Sequence, residues 1–207
     1  MTTVAEPVVA PADALPVDVA GSRSTSWWGM VLFIVTEATL FLLLFVSYFY
    51  LRFRAVHWPI GDVEPPKLAL PGAMTAVLLG SSVPMFWAEL GIKKGNVRRL
   101  EAGLAASAAL GVGFLVLMGV EYAQDLKDFT PRTNAYGSIF YLITGLHGAH
   151  VCIGLMMNGF TQLRAWLGHF DAHRHAAVQN AALYWHFVDA LWVLIMLIVY
   201  LSPHTSL

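Results

Sequence analysis

The 207-residue sequence is poor in charge and almost devoid of cysteine. Only 12% of its residues are Asp, Glu, Lys or Arg, while 57% are hydrophobic. Soluble domains average about 25% and about 45 to 50%, so an ordinary soluble globule is excluded. Twelve basic residues face thirteen acidic ones with no basic block, which leaves no electrostatic footprint for nucleic acid. The single cysteine, Cys152, lies inside an apolar run. Neither an internal disulfide framework nor a thiolate metal cluster can be built from it. Segments of about ten residues with alternating polarity, the mark of a membrane β-barrel, are missing as well; VLFIVTEATLFLLLFVSYFYL is apolar on every side.

What the sequence has instead is length in its apolar runs. About 20 apolar residues of helix cross a hydrocarbon layer about 30 Å thick. Five stretches qualify, at about 28–51, 70–92, 102–122, 138–165 and 178–201, and the fold class they predict is all-α, a polytopic five-transmembrane-helix bundle. The expected organisation is a flexible N-terminal tail over 1–26, rich in Ala, Val and Pro and without the pattern of a cleaved signal peptide, followed by the membrane domain over 27–203. Pro59, Gly61, Pro65 and Pro66, then Gly95 and Asn96, then Pro131 and Asn134, then Gly168 to His175 punctuate the runs. Counting Lys and Arg by side places Arg23, Lys93, Lys94, Arg98, Arg99, Arg164 and Arg174 at one end. Arg52, Arg54, Lys67, Lys127 and Arg132 fall at the other. The excess, concentrated at 93–99, predicts the N-terminus inside and the C-terminus outside.

Ionisable side chains at the centre of a span cost about 2.5 to 3.5 kcal/mol on insertion scales and must face protein. Glu37 lies ~14 Å in from Trp28 along its helix. His147 and His150 sit mid-way along the fourth run, His186 and Asp189 mid-way along the fifth, each pair spaced i, i+3 on one helix face. Similar depth on three helices predicts one shared polar layer, with the fourth and fifth spans joined through it. Such a layer reads as hydrogen-bonded glue between helices, as a metal or haem site, since His and Glu are ligands, or as a proton relay. Glu89 and Glu121 lie near span ends, where they can reach water.

His169, His173 and His175 cluster with Arg164, Asp171 and Arg174 in one loop. This reads as a basic stretch at the lipid headgroups, or as part of a metal-dependent membrane hydroxylase, the alternative from a different functional class. Gly103, Ser107 and Gly111 let another helix approach the third span closely. Pro84 frees the carbonyl of Gly80 and is expected to kink the second span, with Ser81 or Ser82 at hand for that carbonyl.

WGMVLFIVTE ending at Glu37, VEY at 120–122, YGSIFYLITGLHGAHVCIG at 136–154 and YWHFVDALWVL at 184–194 together resemble subunit III of the haem-copper oxidases, in that family's order and spacing. The resemblance implies a non-catalytic subunit of a proton-pumping cytochrome c oxidase in a bacterial inner membrane. It implies no redox centre and no bound metal in this chain, with haem and copper in partner subunits, and packing against the catalytic subunit I and the other oxidase subunits. It also implies support of proton uptake and of endurance over many turnovers, with a structural phospholipid in a cleft. Glu37 matches the family's intramembrane acid, and His147, His150, His186 and Asp189 match its signature motifs. Arg164 and His169 resemble basic residues that meet lipid phosphate. Two departures stand out: the longer members have seven helices, their first two forming a wall of the lipid cleft, and Gln179 stands where they often carry Glu. Five-helix versions also resemble the third subunit of quinol oxidases and a protein associated with nitric oxide reductases.

Overall fold

Ser24 starts the first helix: its hydroxyl accepts a hydrogen bond from the Trp27 N–H at 3.3 Å, satisfying one of the donors a helix start leaves free. The computed structural model describes residues 24–61 and 63–205; Arg23 and most of the predicted tail lie outside them. Five long helices follow: α1 Thr25–Arg54, α2 Ala69–Lys93, α3 Val97–Asp125, α4 Ala135–Trp166 and α5 Ala176–Ile195. α5 continues as a π-helical segment, Met196–Leu201, and a 3-10 turn, Ser202–His204. All five are long and apolar enough to cross a membrane, the last counted through His204, and no strand occurs among the described residues.

The helices outrun the apolar runs because capped polar turns extend the hydrogen-bond ladder past the last hydrophobic residue. Asn96 accepts from the Arg99 N–H at 3.0 Å and Asn134 from the Gly137 N–H at 2.8 Å, so α3 and α4 start several residues before the third and fourth hydrophobic stretches. Gly95 closes α2 in the left-handed region, φ 73°, its N–H bonded to the Ile92 carbonyl at 2.8 Å; this is the glycine helix stop.

α4 and α5 form the middle of the bundle. α2 packs chiefly on α3 and also on α5, α3 on α4, and α1 lies against α4 and α5. In lipid, helices gain little from hiding apolar surface, and association rests on close packing and hydrogen bonds. The small residues predicted on α3 serve that end. A Cβ at Gly103 would stand 2.6 Å from the Pro84 carbonyl oxygen, and one at Gly111 would stand 2.6 Å from the Trp185 ring. α2 runs through Pro84 as one helix. Neither nearby serine serves the Gly80 carbonyl as expected: Ser81 donates to Leu78 O at 2.6 Å and accepts from Trp185 Nε1 at 2.8 Å, while Ser82 reaches across to α5.

Candidate functional site

Glu37 of α1 and His150 of α4 meet at 2.9 Å, Oε2 to Nε2. The other ring nitrogen, Nδ1, lies 2.8 Å from the Leu146 carbonyl. A carbonyl can only accept, so Nδ1 carries a proton, and a second proton is shared between Nε2 and Oε2. Phe41 closes one side of the imidazole, edge-on at 5.2 Å, and the Tyr184 hydroxyl of α5 donates to the His150 carbonyl at 3.4 Å. His150 is nearly enclosed, with 6% of its side chain exposed, while Glu37 keeps 21%. Both ring nitrogens are engaged in these contacts.

The second site joins α2 to α5. The Ser82 hydroxyl donates to Asp189 Oδ2, and its oxygen lies 3.0 Å from His186 Nδ1. Because the single hydroxyl proton goes to the carboxylate, Ser82 must accept from a protonated Nδ1, giving a chain from imidazole through hydroxyl to carboxylate. Asp189 is buried, His186 is 38% exposed, and their direct separation is 3.9 Å.

His147 joins neither site. It is fully buried, both ring nitrogens lack a hydrogen-bond partner, and the ring packs on Trp192 at 5.2 Å and edge-on to Phe114 at 5.7 Å. The expected single layer is therefore two separate pairs and an isolated ring. The expected α4–α5 link through these side chains is replaced by an α1–α4 link and an α2–α5 link. The reason is that α4 is surrounded: residues three apart point about 60° from each other around the axis, enough for His150 to meet α1 while His147 turns into the aromatic core.

Arg164 and His169 sit together at the end of α4. The guanidinium lies over Phe170 at 5.1 Å and beside Phe160 at 5.9 Å, and the His169 N–H donates to the Arg164 carbonyl at 3.1 Å. In the loop beyond, Asp171 accepts from the Arg174 and His173 backbone N–H groups, each at 2.7 Å, and from Arg174 Nε at 3.1 Å; these bonds hold its carboxyl below the usual range. Gln179 stays within its own helix turn, 3.4 Å from His175. Among the described residues no three His, Cys, Asp or Glu side chains gather as a metal-ligand set.

Three contacts escape a reading of single residues. Glu121 is buried where the sequence points to open water: it is 4% exposed and accepts from the Tyr200 hydroxyl at 3.0 Å, because α3 runs a full turn past it and the π-helical segment turns Tyr200 inward. It lines a recess of about 530 Å³ with Glu64, Lys67, Asp125 and Lys127. Arg52, also buried, donates to Ser202 Oγ at 2.6 Å and to the Thr205 carbonyl at 2.7 Å. Ser82 was visible only as a helix hydroxyl. Their one sequence signal is a polar residue on the inward stripe of an apolar helix, which names no partner.

A family model described as cytochrome c oxidase subunit III matches residues 19–203. Cytochrome c oxidase subunit 3 of Synechocystis sp. is 35% identical over 182 residues, covering 87% of this chain and 77% of the relative. The subunit 3 proteins of Drosophila yakuba and Pisaster ochraceus are 35% and 37% identical, each alignment covering 84% of this chain and 68% of the relative. Nothing in these matches favours the quinol-oxidase or hydroxylase alternatives. The chain belongs to the cytochrome c oxidase subunit III family.

Proposed function

We propose that this chain is an accessory, non-catalytic subunit of a proton-pumping cytochrome c oxidase. It packs against the catalytic subunit I, which with its other partners carries haem and copper, and it supports proton uptake and endurance during turnover. The observation that carries this reading is the Glu37–His150 contact at 2.9 Å, which ties the peripheral helix α1 to the central helix α4. In this role the intramembrane acid fixes the wall beside the partner's proton entrance, and oxygen chemistry stays in the partner. Arg164 and His169, neighbours at the end of α4, would hold the phosphate of a structural phospholipid. The membrane would be the bacterial inner membrane, with the end carrying Lys93, Lys94, Arg98, Arg99 and Arg164 inside, following the positive-inside rule.

The test is oxygen consumption through many turnovers, comparing the intact complex, one stripped of this subunit, and one carrying Glu37→Ala. The stripped enzyme is expected to begin near the normal rate and decline faster, more steeply at alkaline pH, with Glu37→Ala between the two. Immediate loss of all activity with haem displaced would mean that the chain helps build the redox centre. Unchanged endurance would reduce its role to assembly. Orientation is read separately by cysteine accessibility at positions 20 and 205: five crossings place them on opposite faces, with position 20 inside.

A further inference from the structure

The corner between α2 and α3 carries positive charge that no carboxylate among the described residues neutralises by a salt bridge, Lys93 apart. Of the four cations at 93–99, Lys93 pairs with Glu89 at 2.6 Å; Lys94, Arg98 and Arg99 have no carboxylate within 4.0 Å among the described residues. Arg98 and Arg99 occupy the first turn of α3, which holds no acid, although the positive end of a helix dipole disfavours cations there.

Arg99 is held in place, unlike a freely moving surface arginine. Its stem crosses α2 at Gly91, where a Cβ would stand 2.8 to 3.0 Å from Arg99 Cβ, Cγ and Cδ. Its guanidinium lies over the Trp87 ring, 4.7 Å from the centroid. Nε is buried and has no hydrogen-bond partner. Trp87, Asn96, Arg98 and Arg99 border a shallow, open depression at this corner. Below it, along the same helix, Trp87, Phe86, Val83 and Leu79 are all exposed, at 42, 55, 71 and 39%. That apolar track runs ~12 Å from Trp87 to Leu79, against a half-thickness of hydrocarbon of about 15 Å.

A fixed cationic surface above an apolar track of acyl-chain length fits one kind of molecule. We propose that the α2–α3 corner is a binding site for an anionic phospholipid, its phosphate held by Arg98 and Arg99 and an acyl chain laid along Trp87, Phe86, Val83 and Leu79. The planar guanidinium, seated on the indole by a stem that crosses the Gly91 notch, is preorganised for the bidentate contact that phosphate oxygens accept. This site uses residues of α2 and α3, whereas Arg164 ends α4 and His169 lies in the loop after it, whose Phe170 packs in the same cluster as Ile92 and Leu100; it does not depend on the role proposed for them.

The test uses the purified complex, delipidated and titrated with phosphatidylglycerol, phosphatidylcholine or inorganic phosphate, with retained lipid counted by native mass spectrometry. The wild type is expected to retain one more phosphatidylglycerol than the double variant Arg98→Gln/Arg99→Gln, whose affinity at this site falls about tenfold or more, as loss of a charge-assisted hydrogen bond implies. Gly91→Val keeps both charges but displaces the Arg99 stem, and it should weaken binding comparably while circular dichroism stays unchanged. Equal retention by wild type and both variants would overturn the proposal. Equal retention of phosphatidylcholine would reduce the site to an apolar groove. Full competition by inorganic phosphate would make it a site for the soluble anion and overturn the assignment to lipid.

Discussion

α1 and α4 are similar in length and equally plain as apolar helices, yet they are held in opposite ways. α4, with 32 residues, buries sixteen of them around its circumference; α1, with 30, buries four, Phe41, Phe45, Tyr48 and Arg52, on one narrow stripe. The central helix is fixed by fit: Gly148 admits the end of Met118, and Gly154 together with Gly111 of α3 makes the slot for Trp185. The peripheral helix is fixed by a few polar contacts at separate heights, Glu37 to His150, the Tyr48 hydroxyl to Trp58 Nε1 at 2.9 Å, and Arg52 to Ser202 and Thr205. Both satisfy the same lipid-facing composition. Hydropathy places a helix in the membrane; volume and polar partners decide whether it lies at the centre of the bundle or at its edge.

The strongest way to break this comparison is to fill the Trp185 slot. Gly111→Leu pushes a branched side chain into an indole that is itself tied to Ser81 at 2.8 Å and has little room to move. Overpacking of this kind costs typically about 1 to 3 kcal/mol, and a leucine should fall at the upper end. Thermal unfolding of the intact complex should show a lowered midpoint for the whole bundle. An unchanged midpoint would mean that α5 can slide, and that fit is not what fixes the centre.

Breaking the edge should do less, and locally. Arg52→Ala removes two hydrogen bonds, and polar contacts in a membrane bundle average about 0.6 kcal/mol each. The segment at 202–205 and the end of α1 should exchange their amide hydrogens faster, with α4 unaffected. Loss of protection throughout α4 would instead make α1 part of one cooperative unit with the core.

Glu37→Ala should cost less again, about 0.6 kcal/mol and at most about 1.7, the range for polar contacts between membrane helices. Glu37→Gln can still bond to His150 and should restore most of the α1–α4 contact. If glutamine recovers bundle stability but not turnover endurance, the carboxyl does more than hold the helices together. If it recovers both, fixing α1 is its whole contribution.

These contrasts also mark what could be read before the coordinates. Composition and run length are enough for five helices, since a bilayer admits few other solutions. α1, α3 and α4 start three to five residues before the apolar runs, because Ser24, Asn96 and Asn134 read as loop residues in the sequence and act as caps in the fold. The intramembrane residues were legible one by one, because an ionisable group in a span stands out by its cost. Their pairing was not. His147 and His150 look equivalent on a helical wheel, and only the packing of α1 and of Trp192 on different sides of α4 separates them. Glu121 reads as near water for a similar reason: the apolar run ends close to it, while the helix and its neighbours continue.

The smallest effect belongs to a feature outside the membrane, the loop between α4 and α5, where Asp171 gathers three N–H donors from His173 and Arg174. Those bonds favour the ionised carboxylate and lower its pKa relative to the opened loop. A group whose folded pKa is depressed stabilises the folded form fully above its unfolded value, about 3.9 for aspartate. That contribution is lost as pH falls through the lower, folded value. The loop should therefore keep its shape across the neutral range and open only in acid below the ordinary aspartate range. Amide exchange at His173 and Arg174, corrected for its intrinsic pH dependence, reads this directly. Asp171→Ala should abolish the extra protection at every pH. Asp171→Asn, which keeps an acceptor oxygen but no charge, should retain a weaker protection without the acid transition. Because Asp171 is half-exposed and lies in the loop beyond α4, neither substitution should change thermal unfolding of the bundle. A shift there would mean that the loop helps hold α4 against α5, and that the division between a centre fixed by fit and an edge fixed by polar contacts fails at this end of the molecule.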